Sequence, residues 1–247
     1  ATYRTLGDVL KYEGQYDEGL QLLEKARVIT ETLLGPEHPE VAAILRKEVD
    51  AYSMKRDGAA ALALGRRVLA LLQKSLPPGH LQIAQTHTNL SEALGMLGRY
   101  EEALAEEQKA LPTYERVFGP ESENVGVSNT NIGYALLQLG RYDEARQHLM
   151  RANEIYAKTL PRDCPDVAEP LLRLGQLELK QHRAREAIRP LERALALRQN
   201  DRDPTEMLAD VELALAHALD GAGVDHRRAQ TLAGRARDQW AAAGGRP

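Results

Sequence analysis

Residues 33–41 read LLGPEHPEV and set His38 among two glutamates, Glu37 and Glu40, and two prolines, Pro36 and Pro39. A histidine beside carboxylates in a loop can move a proton or hold a metal. Neighbouring acids also occur as Glu101-Glu102 and Glu106-Glu107, and the single cysteine, Cys164, lies beside Asp163 and Asp166. Each has a plainer reading. Adjacent acids on a helix exterior are a solvated face rather than an acid/base pair, and nearby carboxylates disfavour the thiolate that a nucleophilic cysteine needs. No Walker-type glycine loop, H-E-x-x-H, C-x-x-C or G-x-S-x-G occurs, so the signatures of phosphate, zinc and acyl chemistry are missing. The expectation is a non-enzymatic chain with no catalytic residue, metal ligand set or cofactor.

Composition says what kind of scaffold must hold these side chains. The 247 residues are 43% hydrophobic and 28% charged, with only 4% aromatic; alanine and leucine dominate, and the β-branched and aromatic runs that strands prefer are nearly absent. An all-α fold follows. A net charge of −4 spread over both signs supplies no basic stripe for phosphates, which argues against a nucleic-acid partner. One cysteine excludes an internal disulfide framework and fits a reducing, cytoplasmic setting. No apolar run reaches the length of a membrane span. The opening ATYRTLGDVL begins without methionine and inside a helical pattern, as an excised segment of a longer protein would.

Internal repeats organise the chain. GQYDEGLQLLEKAR at 14–27, GRYEEALAEEQKAL at 98–111 and GRYDEARQHLMRAN at 140–153 are copies whose starts differ by 84 and 42 residues. The same register yields weaker copies at Arg56 and His182, and a degenerate one at Gly223 with one residue more between its glycine and alanine. Six units, 1–37, 38–79, 80–121, 122–163, 164–205 and 206–247, fill one repeat domain over 1–247 and leave no room for another. Each unit reads as two helices broken near residues 14, 56, 98, 140, 182 and 223. Small residues form two rows, Gly19, Ala61, Ala103, Ala145, Ala187, Ala229 and Ala26, Ala110, Ala152, Ala194, Ala236 with Val68 intervening, as close helix packing requires.

Stepping by 42 residues settles His38. Its counterparts are His80, Ser122, Cys164 and Glu206, a series that no metal or proton site tolerates while its surroundings keep their shape. What persists is a turn: an apolar residue ends one helix, Gly or Pro follows, and Pro39 or Pro165 opens the next. His38 is punctuation, a cap or turn residue. Two departures stand out. Glu48 takes a normally apolar position in the second unit, whose turn is Arg56-Asp57; in the sixth, Arg227, Arg228, Arg235 and Arg237 suggest the solvated face of a terminal cap, with Trp240 as packing.

The pattern seen as IGYALLQLGRYDEA at 132–145, with the 42-residue period and LGPEHPEVA between units, resembles the tetratricopeptide repeat (TPR) of the long, kinesin light chain-like class. The last unit also resembles the end of repeat arrays that follow the kinase domain in some bacterial serine/threonine kinases. The resemblance implies a right-handed α-solenoid of twelve antiparallel helices that acts as a protein-interaction scaffold, the first helix of each unit lining a concave peptide-binding groove; the alternative is a regulatory or substrate-docking segment of such a kinase. Carried over position by position, the groove takes Thr5, Asp8 and Tyr12; Lys47, Asp50 and Met54; Asn89, Glu92 and Met96; Asn131, Tyr134 and Gln138; and Arg173, Gln176 and Lys180. Asn89 and Asn131 resemble the family's asparagines that grip a ligand backbone, for which an amide supplies donor and acceptor together. Lys47 and Arg173 beside them lead to an expected preference for acidic peptides. Neither the partner's identity nor an oligomeric state is readable.

Overall fold

The computed structural model describes residues 2–12, 15–199 and 206–242. All described regular structure is helical. The helices follow as α1 Thr2–Tyr12, α2 Tyr16–Leu34, α3 Pro39–Met54, α4 Gly58–Ser75, α5 Leu81–Met96, α6 Tyr100–Phe118, α7 Glu123–Gln138, α8 Tyr142–Thr159, α9 Ala168–Lys180, α10 Ala184–Arg198, α11 Glu206–Gly221 and α12 His226–Ala242. Contacts group them into two compact units, residues 1–120 and 121–247, each a stack of three hairpins.

The hairpin breaks fall where the repeat register puts them. Gly98 and Gly140 take positive φ, 71° and 76°, at the turns after α5 and α7, a region glycine enters without penalty. The equivalent positions in the irregular second and fifth units hold Arg56 at φ 61° and His182 at φ 58°, so the turn persists although the side chain is unsuited to it. The break at Gly14 lies outside the described residues. Joints between hairpins are punctuation as well. His38 and His80 each accept a hydrogen bond at Nδ1 from the backbone N–H two residues on, Glu40 and Gln82, both at 3.2 Å, and so cap α3 and α5. Cys164 precedes a 3-10 turn, Pro165–Val167, before α9, where Pro165 and the downstream Pro170 lack the N–H groups that a regular first α-turn shares. The side chain of Glu206 lies outside the described residues.

Packing within a hairpin rests on the small rows. Ala61, Ala103, Ala145, Ala187 and Ala229 are at most 4% exposed, and Ala110, Ala152, Ala194 and Ala236 are sealed completely. In unit 1 the first helices α1, α3 and α5 touch in succession, and in unit 2 so do α7, α9 and α11. Second helices pack on first helices of the next hairpin, as α2 on α3 and α4 on α5, and meet one another through side chains, as Arg67 of α4 does Glu31 of α2 at 2.6 Å. Within each unit the first helices therefore line the inner side.

One expectation needs correcting. Glu106 and Glu107 do not share a solvated face: Glu107 is fully buried and accepts a hydrogen bond from Thr88 Oγ1 at 3.1 Å. Adjacent residues on a helix point about 100° apart. Position 107 corresponds to Leu23, Leu149 and Leu191, all core residues, so the register had already assigned it inward.

Candidate functional site

In unit 2 the inner face opens into a cavity of about 410 Å³ between α7, α9 and α11. Five of the expected groove residues, Tyr134, Gln138, Arg173, Gln176 and Lys180, line it. Asn131, half-buried on α7, is not among the lining residues. The repeat explains the convergence, since 134 and 176 are 42 residues apart, as are 138 and 180, and equivalent positions of stacked hairpins point the same way. Leu137, Leu179, Leu213 and Ala214 supply apolar wall, and Asp210 and His217 complete the lining.

The α11 contribution was not anticipated, although the register shortened by one residue in the last unit carries Arg173 to Ala214 and Gln176 to His217.

Polar contacts hold this wall in shape. The Arg173 guanidinium lies 4.2 Å over the Tyr134 ring, donates from Nε to Glu169 Oε1 at 2.7 Å and from another nitrogen to Gln176 Oε1 at 3.1 Å. A stacked cation pinned by a carboxylate is fixed rather than mobile. The Gln176 amide keeps its NH₂ for other partners.

Unit 1 carries the other expected residues on its inner face. Lys47 on α3 is ion-paired with Asp8 on α1. Asn89 Nδ2 approaches Asp50 Oδ1 at 3.5 Å, a distance that marks a neighbour rather than a strong bond. Glu92 lies nearby, its side chain reaching water from the hollow of the face. The protein packed around it, then the Glu107 and Asp50 carboxylates, push its carboxyl up to about 7. This face is therefore acidic, whereas the cavity in unit 2 mixes both signs. Thr5 is exposed and Met54 and Met96 are partly so; the side chain of Tyr12 lies outside the described residues.

Buried charge elsewhere joins helices both within and between hairpins. Glu48, 3% exposed, accepts from Arg27 Nε at 3.1 and 3.2 Å. Glu178 is bound by Arg146 and Arg183, and Glu212 by Arg235 at 2.7 Å and Gln239 at 2.9 Å. Two of the four arginines expected to face solvent in the last unit, Arg228 and Arg235, are thus engaged, Arg228 with Glu192.

Tandem helical hairpins whose first helices line an inner face define an α-helical repeat protein. Its sequence matches the model of the tetratricopeptide repeat over residues 1–74, 49–116, 82–158 and 124–200, and the chain belongs to that family. Comparison with curated proteins returns no match. Among solved structures, BtubC (BKLC) from P. vanneervenii is 22% identical, with a TM-score of 0.68 over 95% of this chain and 93% of that one. A putative kinesin light chain of Podosopora anserina with nearly identical TPR-like repeats is 23% identical, with a TM-score of 0.67 over 80% and 93%. A Rap protein complexed with Competence and Sporulation Factor is 17% identical, with a TM-score of 0.69 over 96% of this chain and 66% of that protein. At these identities the likeness is one of fold, of the kinesin light chain-like kind. Among the described residues no helix is long and apolar enough to cross a membrane.

Proposed function

We propose that this chain is a non-catalytic interaction scaffold that holds an extended peptide segment of a partner protein on the first-helix face of unit 2, anchored in the cavity there. The supporting observation is the convergence of Tyr134, Arg173 and Gln176 on one opening with apolar walls. A volume of about 410 Å³ accommodates one large apolar or aromatic side chain with its flanking backbone. The amides of Gln138 and Gln176 at the rim can pair with that backbone whatever its sequence, as Asn131 on α7 can beside the cavity; on the first-helix face of unit 1, Asn89 is the equivalent amide. The Rap protein complexed with Competence and Sporulation Factor offers a precedent for a protein of similar fold holding a partner.

Charge selectivity follows from what is already neutralised. Lys47 and Arg173, on which a preference for acidic ligands would rest, face Asp8 and Glu169. The exposed Lys180 at the cavity rim is the cation that would read an acidic residue beside the anchor. The alternative, a docking segment of a bacterial serine/threonine kinase, is separated by the full reading frame.

The test is selection from a displayed peptide library on the whole chain, then calorimetric affinities for the native protein and Leu213→Glu, with circular dichroism to verify folding. A charge on the cavity wall should weaken binding at least about tenfold, the equivalent of roughly 1.4 kcal/mol. Selected peptides that bind Leu213→Glu as tightly as the native chain place the ligand elsewhere and defeat the reading.

A further inference from the structure

The second helices carry a cation at one position of the repeat. Arg67, Lys109, Arg151 and Arg193 stand 42 residues apart. Three of them are neutralised within the chain, Arg67 by Glu31 at 2.6 Å, Lys109 by Glu106 at 2.7 Å and Arg151 by Glu121 at 2.8 Å. Arg193 on α10 is exposed and forms no ion pair among the described residues.

The register explains the difference. Around Arg193, the positions that supply those three carboxylates fall on Ala157, Pro190 and Asp163. Alanine and proline bring no charge, and Asp163, a methylene shorter than Glu121, forms no ion pair either among the described residues. The same joint adds a second cation. Arg162 stands where the three earlier joints have Pro36, Pro78 and Pro120, and it too is exposed and without an ion pair among the described residues.

Both arginines line a cavity of about 500 Å³ between the end of α8, the joint that follows and α10, with Leu160, Pro161 and Val167 among its apolar walls. A related hollow of about 380 Å³ lies two repeats earlier in unit 1, where Leu76, Ile83 and Lys109 hold the places of Leu160, Val167 and Arg193. There Glu106 of the same chain already occupies the cation.

We infer that the cavity between α8 and α10 is a docking site for a partner's peptide segment in which one large apolar side chain is flanked by acidic residues. The apolar walls take the side chain. Arg193 takes a carboxylate in the role that Glu121 fills for Arg151 one repeat earlier, and Arg162 takes a second. A guanidinium offers a carboxylate two parallel donors, and two of them without counter-charges beside one apolar hollow select against a basic segment. The site shares no lining residue with the first-helix cavity of unit 2.

The probe is a fluorescein-labelled heptapeptide with leucine at its centre and glutamates on both sides, titrated with the full chain by anisotropy at low salt. Saturable binding is expected, and Arg193→Glu should weaken it by at least about tenfold, with Arg193→Lys weakening it less. Ala157→Trp, which fills the hollow from an exposed position, should weaken it by a similar factor; circular dichroism verifies that each variant is folded. The same peptide with serine at its centre should bind at least about tenfold more weakly. Absence of saturable binding overturns the inference. So does binding that neither the serine peptide nor Ala157→Trp diminishes, since that is charge attraction without the hollow. Octanoate binding as tightly as the peptide would assign the hollow to a free fatty acid, and self-association of the native chain that Arg193→Glu abolishes would assign it to a second copy; either refutes peptide docking.

Discussion

Glu48 stands where the third and fourth repeats have Leu90 and Ile132, and its partner Arg27 stands where the second and third have Leu69 and Leu111. An ion pair thus replaces an apolar pair at one joint of the stack. Burial pushes the Glu48 carboxyl up while the Arg27 guanidinium pulls it back. Removing one partner of such a pair costs far more than removing both. Arg27→Leu should therefore destabilise the chain by about 3 kcal/mol at neutral pH, whereas Arg27→Leu with Glu48→Leu should be neutral or stabilising by about 1–4 kcal/mol. Urea midpoints for both variants decide it, and a double variant no better than the single would mean that the pair is optimised rather than tolerated. Glu92 gives the second prediction at this scale. Its folded carboxyl is raised from 4.5 to about 7 by enclosure and by Glu107 and Asp50, so the folded state keeps a proton that the unfolded state has released. The stability it contributes is complete below about 4.5 and is lost as pH rises through 7. Glu92→Gln should flatten the fall of the urea midpoint over that window; an unchanged slope would place the titration elsewhere. Both carboxylates illustrate what a single sequence conveys. Glu48 was legible as an odd residue at an apolar position. Its partner was not, because the contact joins helices 21 residues apart whose mutual orientation only the fold supplies.

At the scale of the helix, the spacing of small residues carried most of the information. The turns near 56, 98, 140, 182 and 223 and the alanine rows were readable because a helix-packing constraint repeats about every 42 residues, and the structure seats them as the register requires. The 3-10 turn before α9 was less so, since prolines at the start of a helix usually permit a regular first turn and here two of them lie five residues apart. Ala145 tests the packing argument. It is sealed completely, and the backbone it belongs to is close enough that a Cβ on Gly133 of α7 would meet Leu149 at 2.6 Å and the Ala145 carbonyl at 3.4 Å. Ala145→Leu has no empty space to fill and should destabilise by about 1–3 kcal/mol through overpacking. An unmoved denaturation midpoint would mean that α7 and α8 can separate at no cost.

For the molecule as a whole, the number of repeats was legible and the ligand-sized cavity was not. The five groove triplets drawn from the family came from the first five units, while the cavity also needs α11 of the sixth, whose register slips by one residue just where its motif degenerates. The grouping into two compact units was equally hidden, because the sequence period does not change between residues 118 and 123. That grouping has a consequence for folding. Stability in a repeat array is close to a sum of repeat terms and nearest-neighbour interface terms, and about three repeats are the least that bury a continuous core. Residues 121–247 contain three hairpins and the ion pairs that join them through Glu178 and Glu192. Expressed alone, this fragment should show a helical circular dichroism spectrum and a single cooperative urea transition, with the cavity intact enough to bind the peptides selected on the full chain. If the fragment instead melts gradually or binds dye as a loosely packed state, three hairpins are too few here to fold independently.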